Sequence, residues 1–167
     1  MTDHYTRRET LTITGSTLLL AGCASKPTTE EEQPPSNIVN AWLDEHESAE
    51  QTAVDQYGEG NEAFGAGDYS RAAVRFERAA NKYESLEKDV GDETQNYENG
   101  SETWEIFSTL GQYYAFMRRA ATWRYSAAYE RSVNDDLVAS AEALETSNAR
   151  FERAEELKVE FRRMLDE

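Results

Sequence analysis

The distribution of proline is the feature that most constrains the fold of this chain. The only prolines lie at positions 27, 34 and 35, and none occurs between residue 36 and residue 167. Proline breaks a helix when it lies in the helix interior, so its absence, with abundant Ala, Glu and Arg, favours long helices. No segment alternates apolar and polar side chains with the period of two that is typical of a half-buried strand. The sequence therefore predicts an all-α domain over residues 37–167.

The spacing of apolar residues predicts two helices in the first half of this domain. The first is expected over Asn37–Phe64, capped by Ser36 or Asn37, and the second follows a cap at Asp68 and fades near Val90. The predicted apolar stripe of the first helix is Ile38, Trp42, Ala49, Ala53, Tyr57, Gly60 and Phe64, and that of the second is Tyr69, Ala72, Phe76, Ala79, Tyr83 and Leu86.

Two longer helices are predicted in the second half. The third, about Glu102–Arg131, is apolar on two faces, so we expect it to be the central helix, packed on more than one side. The polar segment before it ends in a turn signal at Asn99-Gly100. The fourth opens at Asn134-Asp135-Asp136, where acidic side chains favour a helix N-terminus. Its predicted stripe is Leu137, Ala141, Leu144, Phe151, Ala154, Phe161 and Leu165.

Gly60, Ala72, Phe76 and Ala79 carry a pattern of small residues around one aromatic. With this pattern, the segment 57–83 resembles one tetratricopeptide repeat, in which small residues let two helices approach closely. The resemblance implies antiparallel helical hairpins. Two arrangements stay open at this point: a tetratricopeptide-like pair of hairpins, or a four-helix bundle.

The first 22 residues are organised like an export signal. Arg7 and Arg8 precede an apolar run over residues 11–20, which is shorter than the roughly 20 residues that a bilayer-spanning helix needs. Small residues then precede Cys23, the only cysteine of the chain. The arginine pair in its context resembles a twin-arginine export signal, and Leu20-Ala21-Gly22-Cys23 resembles a lipobox. The resemblance implies removal of residues 1–22 and a diacylglycerol thioether on Cys23.

Residues 23–36 have the composition of a disordered tether. They contain every proline and the acidic run Glu30-Glu31-Glu32, and segments of this kind stay extended and solvated. The expected organisation is thus an export signal over 1–22, a lipidated cysteine and acidic tether over 23–36, and a helical domain over 37–167. Two acyl chains would hold this domain firmly at the outer, extracellular face of the cytoplasmic membrane.

The charge of the chain indicates the environment that it suits and the class of partner that it can bind. It has 33 acidic and 17 basic residues, a net charge of −16, and only four lysines. A high acidic content with few lysines resembles proteins of halophilic archaea, where concentrated salt screens the repulsion between carboxylates. Nucleic acid is excluded as a partner, because binding to phosphates depends on clustered Lys and Arg.

Few groups in the sequence could support catalysis. Beyond the export signal the only histidine is His46, which lies beside the predicted stripe and is expected to be a structural, partly packed side chain. The chain has no Gly-x-Ser-x-Gly elbow and no glycine-rich phosphate loop, and a di-iron bundle would need a Glu-x-x-His motif on each of two helices. We therefore expect no enzyme activity, no metal and no cofactor.

The third helix interleaves aromatic and arginine residues, which dominate the energetics of binding surfaces. Its candidate binding surface comprises Tyr113, Tyr114, Arg118, Trp123 and Arg124. The alternative is that these aromatics belong to the core and that the arginines pair with carboxylates of neighbouring helices.

The sequence thus predicts a membrane-anchored helical module that binds a protein partner without catalysis. The alternative is a lipoprotein that binds a small solute or anion in an aromatic and arginine pocket on the third helix. An open concave surface would favour the partner protein, an enclosed cavity the solute, and a solid core neither.

Asn99 begins a glycosylation sequon on a predicted loop, which makes it a candidate modification site.

Overall fold

The computed structural model describes residues 33–166, which form four long helices and contain no strand. The first, α1, spans Pro35–Gly65, and α2 spans Tyr69–Thr94. The central α3 spans Glu102–Tyr129, and α4 spans Leu137–Asp166. The all-α prediction is confirmed for this part of the chain. Arg7, Arg8 and Cys23, with most of the predicted tether, lie outside the described residues.

Each helix packs mainly on the helix that precedes or follows it, so the chain forms successive antiparallel hairpins. Helix α3 also contacts α1, and it is therefore the central helix that its two apolar faces predicted. Helices α1 and α4 meet at few positions. They approach each other through large side chains, as where the Tyr57 and Phe151 rings stack with centroids 5.8 Å apart. No helix within residues 33–166 combines the length and the apolar character that crossing a bilayer requires.

The start of α1 differs from the prediction. Ser36 and Asn37 lie inside the helix, whose N-cap is Pro34 without any side-chain hydrogen bond. Pro35 occupies the first helical position, where the N–H that proline lacks would have no helical partner and its restricted φ already suits a helix. The predicted caps were therefore wrong, and the helical domain begins at Pro35, inside the segment expected to be tether.

The α1–α2 hairpin is held by a turn and a close helix contact. Asp68 caps α2 as predicted, its Oδ1 accepting a hydrogen bond from the Arg71 N–H at 3.2 Å. Gly67 has a φ of 79° in the turn before it, a conformation that glycine adopts at little cost. A Cβ atom built on Gly60 would lie 2.7 Å from ring carbons of Phe76. Glycine at this position therefore lets the two helices approach, while the resemblance to a tetratricopeptide repeat stays a prediction.

Helix α2 continues beyond the predicted end near Val90 and includes Gly91. Val90 is buried, with a side chain close to Gly111 of α3, and this contact extends the packed region by about one turn. The predicted turn at Asn99-Gly100 is confirmed, since Gly100 has a φ of 86°. Asn99 is exposed there, and its glycosylation stays a prediction.

Helix α4 begins as predicted but buries a different face. The Asp136 carboxylate accepts hydrogen bonds from the Val138 and Ala139 N–H groups, so it caps the helix. Leu137 and Ala141 of the predicted stripe are exposed, however. The buried residues of the first half are Ser140, Ala143 and Ser147.

The small size of these three residues explains why α4 buries this face instead of the predicted one. They let α4 approach the alanine-rich second half of α3, and the Ser147 hydroxyl donates to the Ala120 carbonyl oxygen at 2.9 Å. A stripe of leucines would hold the two backbones farther apart. In the second half of α4 the predicted residues Ala154 and Phe161 are buried, and Leu157 joins them.

Candidate functional site

Two residues of the candidate binding surface lie in the core. Tyr114 is fully buried and Tyr113 is 3% exposed. Their ring centroids are 5.1 Å apart, and the Tyr114 ring lies 6.3 Å from that of Tyr83 on α2. These tyrosines therefore form part of the helix packing, which agrees with the alternative interpretation that the aromatics of the third helix belong to the core.

The other three residues of the candidate surface point to different neighbours. The Arg118 guanidinium contacts the Glu87 carboxylate on α2 at 2.7 Å, and Arg124 donates to the Asn148 side chain on α4 at 2.8 Å. Trp123 is partly exposed to solvent. Since a central helix distributes its side chains among several packed sides, the predicted set does not form one surface.

A cleft of about 200 Å³ lies instead between α1 and α4, with α3 as its floor. We call it the α1–α4 cleft. Its lining residues are Leu43 and Glu50 from α1, Leu110 and Tyr113 from α3, and Lys158, Phe161, Arg162 and Leu165 from α4. Tyr113 is the only member of the sequence-predicted binding surface in this lining.

Charges of opposite sign line opposite walls of the α1–α4 cleft. Glu50 comes from α1, whereas Lys158 and Arg162 come from α4, spaced one helical turn apart. The Lys158 ammonium lies 5.6 Å from the centroid of the Tyr113 ring. Within residues 33–166, neither cation is within ion-pair distance of a carboxylate. The cleft therefore offers both a negative and a positive group to a molecule that enters it.

The charge of Glu50 acts on three buried tyrosines of the core. Burial, reinforced by the negative charge of Glu50, raises the pKa of Tyr83, Tyr113 and Tyr114 above the usual value of 10.0. The charge of Glu155 on α4 also raises the pKa of Tyr83 and Tyr113. The hydroxyls of Tyr83 and Tyr114 are buried and have no hydrogen-bond partner among the residues that the structure describes. Glu50 lies near the Tyr114 hydroxyl, but the two do not make a hydrogen bond of standard geometry. Of these three tyrosines only Tyr113 lines the cleft, whereas Tyr83 and Tyr114 are fully buried in the core.

His46 has a structural role, as its place in the sequence predicted. Its ring stacks on Trp42 with centroids 3.8 Å apart, and its Nδ1 lies 2.8 Å from the Trp42 carbonyl oxygen. Among residues 33–166, no three His, Cys, Asp or Glu side chains are grouped in a way that could hold a metal ion.

A second feature lies at the connection between α3 and α4, where the sequence had singled out only Trp123 as a candidate binding residue. Large apolar side chains between 42% and 69% exposed occur on both sides of this connection. We call them the junction surface, which comprises Trp123, Tyr129, Val133, Leu137 and Val138. The sequence had assigned Leu137 to the core. One sequence signal could have identified this surface. Asp136 caps α4, so Leu137 and Val138 lie in the first turn of that helix, where they are exposed.

The junction surface is tied to the rest of the domain by Arg131. This side chain belongs to the short π-helix Glu130–Asn134 that links α3 to α4. Its guanidinium lies over the Tyr69 ring, 4.8 Å from the centroid, and donates to the Tyr69 hydroxyl at 3.2 Å. The connection is therefore held against the first turn of α2.

Comparison with known proteins identifies no relative: no protein family, no curated protein and no solved structure matches this chain.

Proposed function

We propose that this chain is a non-catalytic binding module, held at the outer face of the cytoplasmic membrane by lipid on Cys23, that binds a partner protein through the junction surface. The observation that carries the proposal is the exposure of five large apolar side chains around one helix connection. Single exposed apolar residues are common on protein surfaces, but a group of them is typical of an interaction site.

The composition of the junction surface indicates the chemistry of the partner. Trp123 and Tyr129 belong to the residue types that contribute most to binding energy. Glu130, Asp135 and Asp136 lie in the same connection and are acidic. We therefore propose a partner that presents an apolar patch bordered by lysine or arginine, since such a rim would complement these carboxylates.

Replacing Val138 by Asp tests this surface, with Val159→Asp as the matched control. Both valines lie on α4 and both are 69% exposed, so neither change should affect folding much. Cross-linking and pull-down from native membranes at high salt should recover one reproducible partner with the wild type and with Val159→Asp. Val138→Asp should reduce recovery of the partner by about tenfold or more, because the new carboxylate would be buried against the apolar patch of the partner. Equal recovery with both variants, or no reproducible partner, would contradict the proposal.

The lipid anchor is tested separately by Cys23→Ser. Without the thiol no thioether can form, so this variant should move from the membrane fraction to the soluble fraction, as measured by fractionation and immunoblotting. Ser25→Ala, next to the proposed lipidation site, is the control and should stay membrane-bound. Retention of the Cys23→Ser variant in membranes would overturn the anchor.

A second candidate function, binding of a small solute, is favoured by the α1–α4 cleft. The cleft is partly enclosed, it is lined by Tyr113, and two cations reach it without a carboxylate partner among residues 33–166. This function does not depend on the junction surface, and both sites can coexist on one domain.

A further inference from the structure

We propose that the α1–α4 cleft binds a small zwitterion, a free α-amino acid with an apolar side chain. This inference rests on the second candidate function, binding of a small solute, and names the ligand class of that site. It is independent of the proposed protein partner.

The size of the cleft limits the ligand. Its volume of about 200 Å³ is below the roughly 300–1,000 Å³ typical of pockets for drug-sized ligands. A molecule the size of a single amino acid matches such a space, whereas a peptide or a nucleotide exceeds it. Leu43, Leu110 and Phe161 supply an apolar wall, against which an aliphatic side chain would be removed from water.

The arrangement of charge selects a zwitterion. Among the described residues, Glu50 on α1 is the only carboxylate that lines the cleft, and it would accept hydrogen bonds from an ammonium group. Lys158 and Arg162 on α4 would bind a carboxylate, for which the arginine guanidinium offers paired donors. Since Glu50 is beyond ion-pair distance from both cations, the ligand would occupy the space between the two charged walls.

In dilute salt, the overall charge of the protein also favours a zwitterion over a simple anion. With a net charge of −16, the chain repels anions at long range when salt is dilute, whereas a molecule with no net charge is not repelled.

Isothermal titration calorimetry of the full-length chain, purified in detergent, tests the inference with three matched probes. L-leucine carries both charges, N-acetyl-L-leucine keeps only the carboxylate, and L-leucinamide keeps only the amine. We expect saturable binding of L-leucine, or of another apolar amino acid in a panel, and binding weaker by about tenfold or more for its two blocked forms.

Two variants locate the site. Glu50→Gln and Arg162→Gln should each weaken amino acid binding by about tenfold. The controls Glu47→Gln on α1 and Arg153→Gln on α4 change the same charges at exposed positions outside the cleft and should leave binding unchanged. Circular dichroism of each variant would show that the fold is retained.

Each of the other outcomes overturns the inference in a different way. If N-acetyl-L-leucine binds as well as L-leucine and Arg162→Gln abolishes binding of both, the cleft is an anion site. The second candidate function, binding of a small solute, would then be supported, and the inference of a zwitterion would be wrong. If the amide binds as well as the amino acid, the carboxylate contact fails. If no amino acid and no blocked form binds at millimolar concentration, both the inference and the second candidate function fail.

Discussion

Replacing Phe76 by Ala is expected to lower the free energy of unfolding by about 3–5 kcal/mol. Phe76 is fully buried, its ring lies against Gly60 of α1, and its centroid is 5.6 Å from that of Tyr57. The change would leave a cavity in the α1–α2 contact, which the surrounding helices can fill only in part. Denaturant unfolding followed by circular dichroism would measure the loss. Val74→Ala, an exposed position on the same helix, should change stability by less than about 0.5 kcal/mol.

The same contact can be tested from the side of α1. A methyl group at Gly60 would meet the Phe76 ring at 2.7 Å, whereas one at Gly58 would meet no atom of the described chain within 4 Å. Alanine is favoured over glycine inside a helix by about 1 kcal/mol, so Gly58→Ala should stabilise the domain by about that amount. Gly60→Ala should instead destabilise it by about 1–3 kcal/mol. Stabilisation by both variants would show that the helices are not held in close contact at Gly60.

Raising the pH above 10 is expected to unfold the domain steeply. Burial raises the pKa of Tyr83, Tyr113 and Tyr114 in the folded chain above the usual value of 10.0. Below pH 10 these tyrosines are protonated in both the folded and the unfolded chain, so their full contribution to the free energy of unfolding is present. Above pH 10 the unfolded chain releases protons that the folded chain retains, which costs about 1.4 kcal/mol of stability per pH unit and tyrosine. Three such tyrosines together would lose about 4 kcal/mol per pH unit.

Two signals measured on one sample would check this expectation. Helical circular dichroism should fall, and the ultraviolet absorbance of tyrosinate should rise, in a single transition above pH 10. Tyr83→Phe should make the loss of stability less steep. It should cost little at neutral pH, because the Tyr83 hydroxyl has no hydrogen-bond partner within residues 33–166. Tyr129→Phe, on the exposed junction surface, is the control. Complete titration of the tyrosines near pH 10 while the helices stay intact would contradict the expectation.

Tyr97 adds a smaller contribution to the same transition. Burial, and then its hydrogen bond to the Glu93 carboxylate at 2.6 Å, raise the pKa of Tyr97 to about 12. Its effect on stability therefore begins near pH 10 and ends near pH 12, where the folded state also loses the proton.

The sequence predicted only part of the candidate site. It singled out Tyr113 among the aromatic residues of α3, but the charged residues of the α1–α4 cleft, Glu50, Lys158 and Arg162, did not stand out. Acidic residues are so frequent in this chain that one carboxylate carries little information. The two cations become notable only when α4 places them across from α1, a relation between residues that are far apart in the sequence.

The sequence alone determined the helical class of the domain and several helix ends. Absence of proline after Pro35 removes the residue that interrupts helices, and Asp68 and Asp136 cap their helices through hydrogen bonds to nearby N–H groups. These are local effects, set by backbone geometry and by contacts within a few residues, so they can be inferred from the order of residues.

The tertiary structure decided which face of each helix is buried and where the clefts lie. The first half of α4 buries Ser140, Ala143 and Ser147 rather than Leu137, because close approach to α3 requires small side chains at the contact. The candidate surface on α3 was divided for a related reason, since a helix packed on several sides separates its own side chains. Both outcomes depend on how well distant surfaces fit together, and the spacing of residues along one helix does not specify that fit.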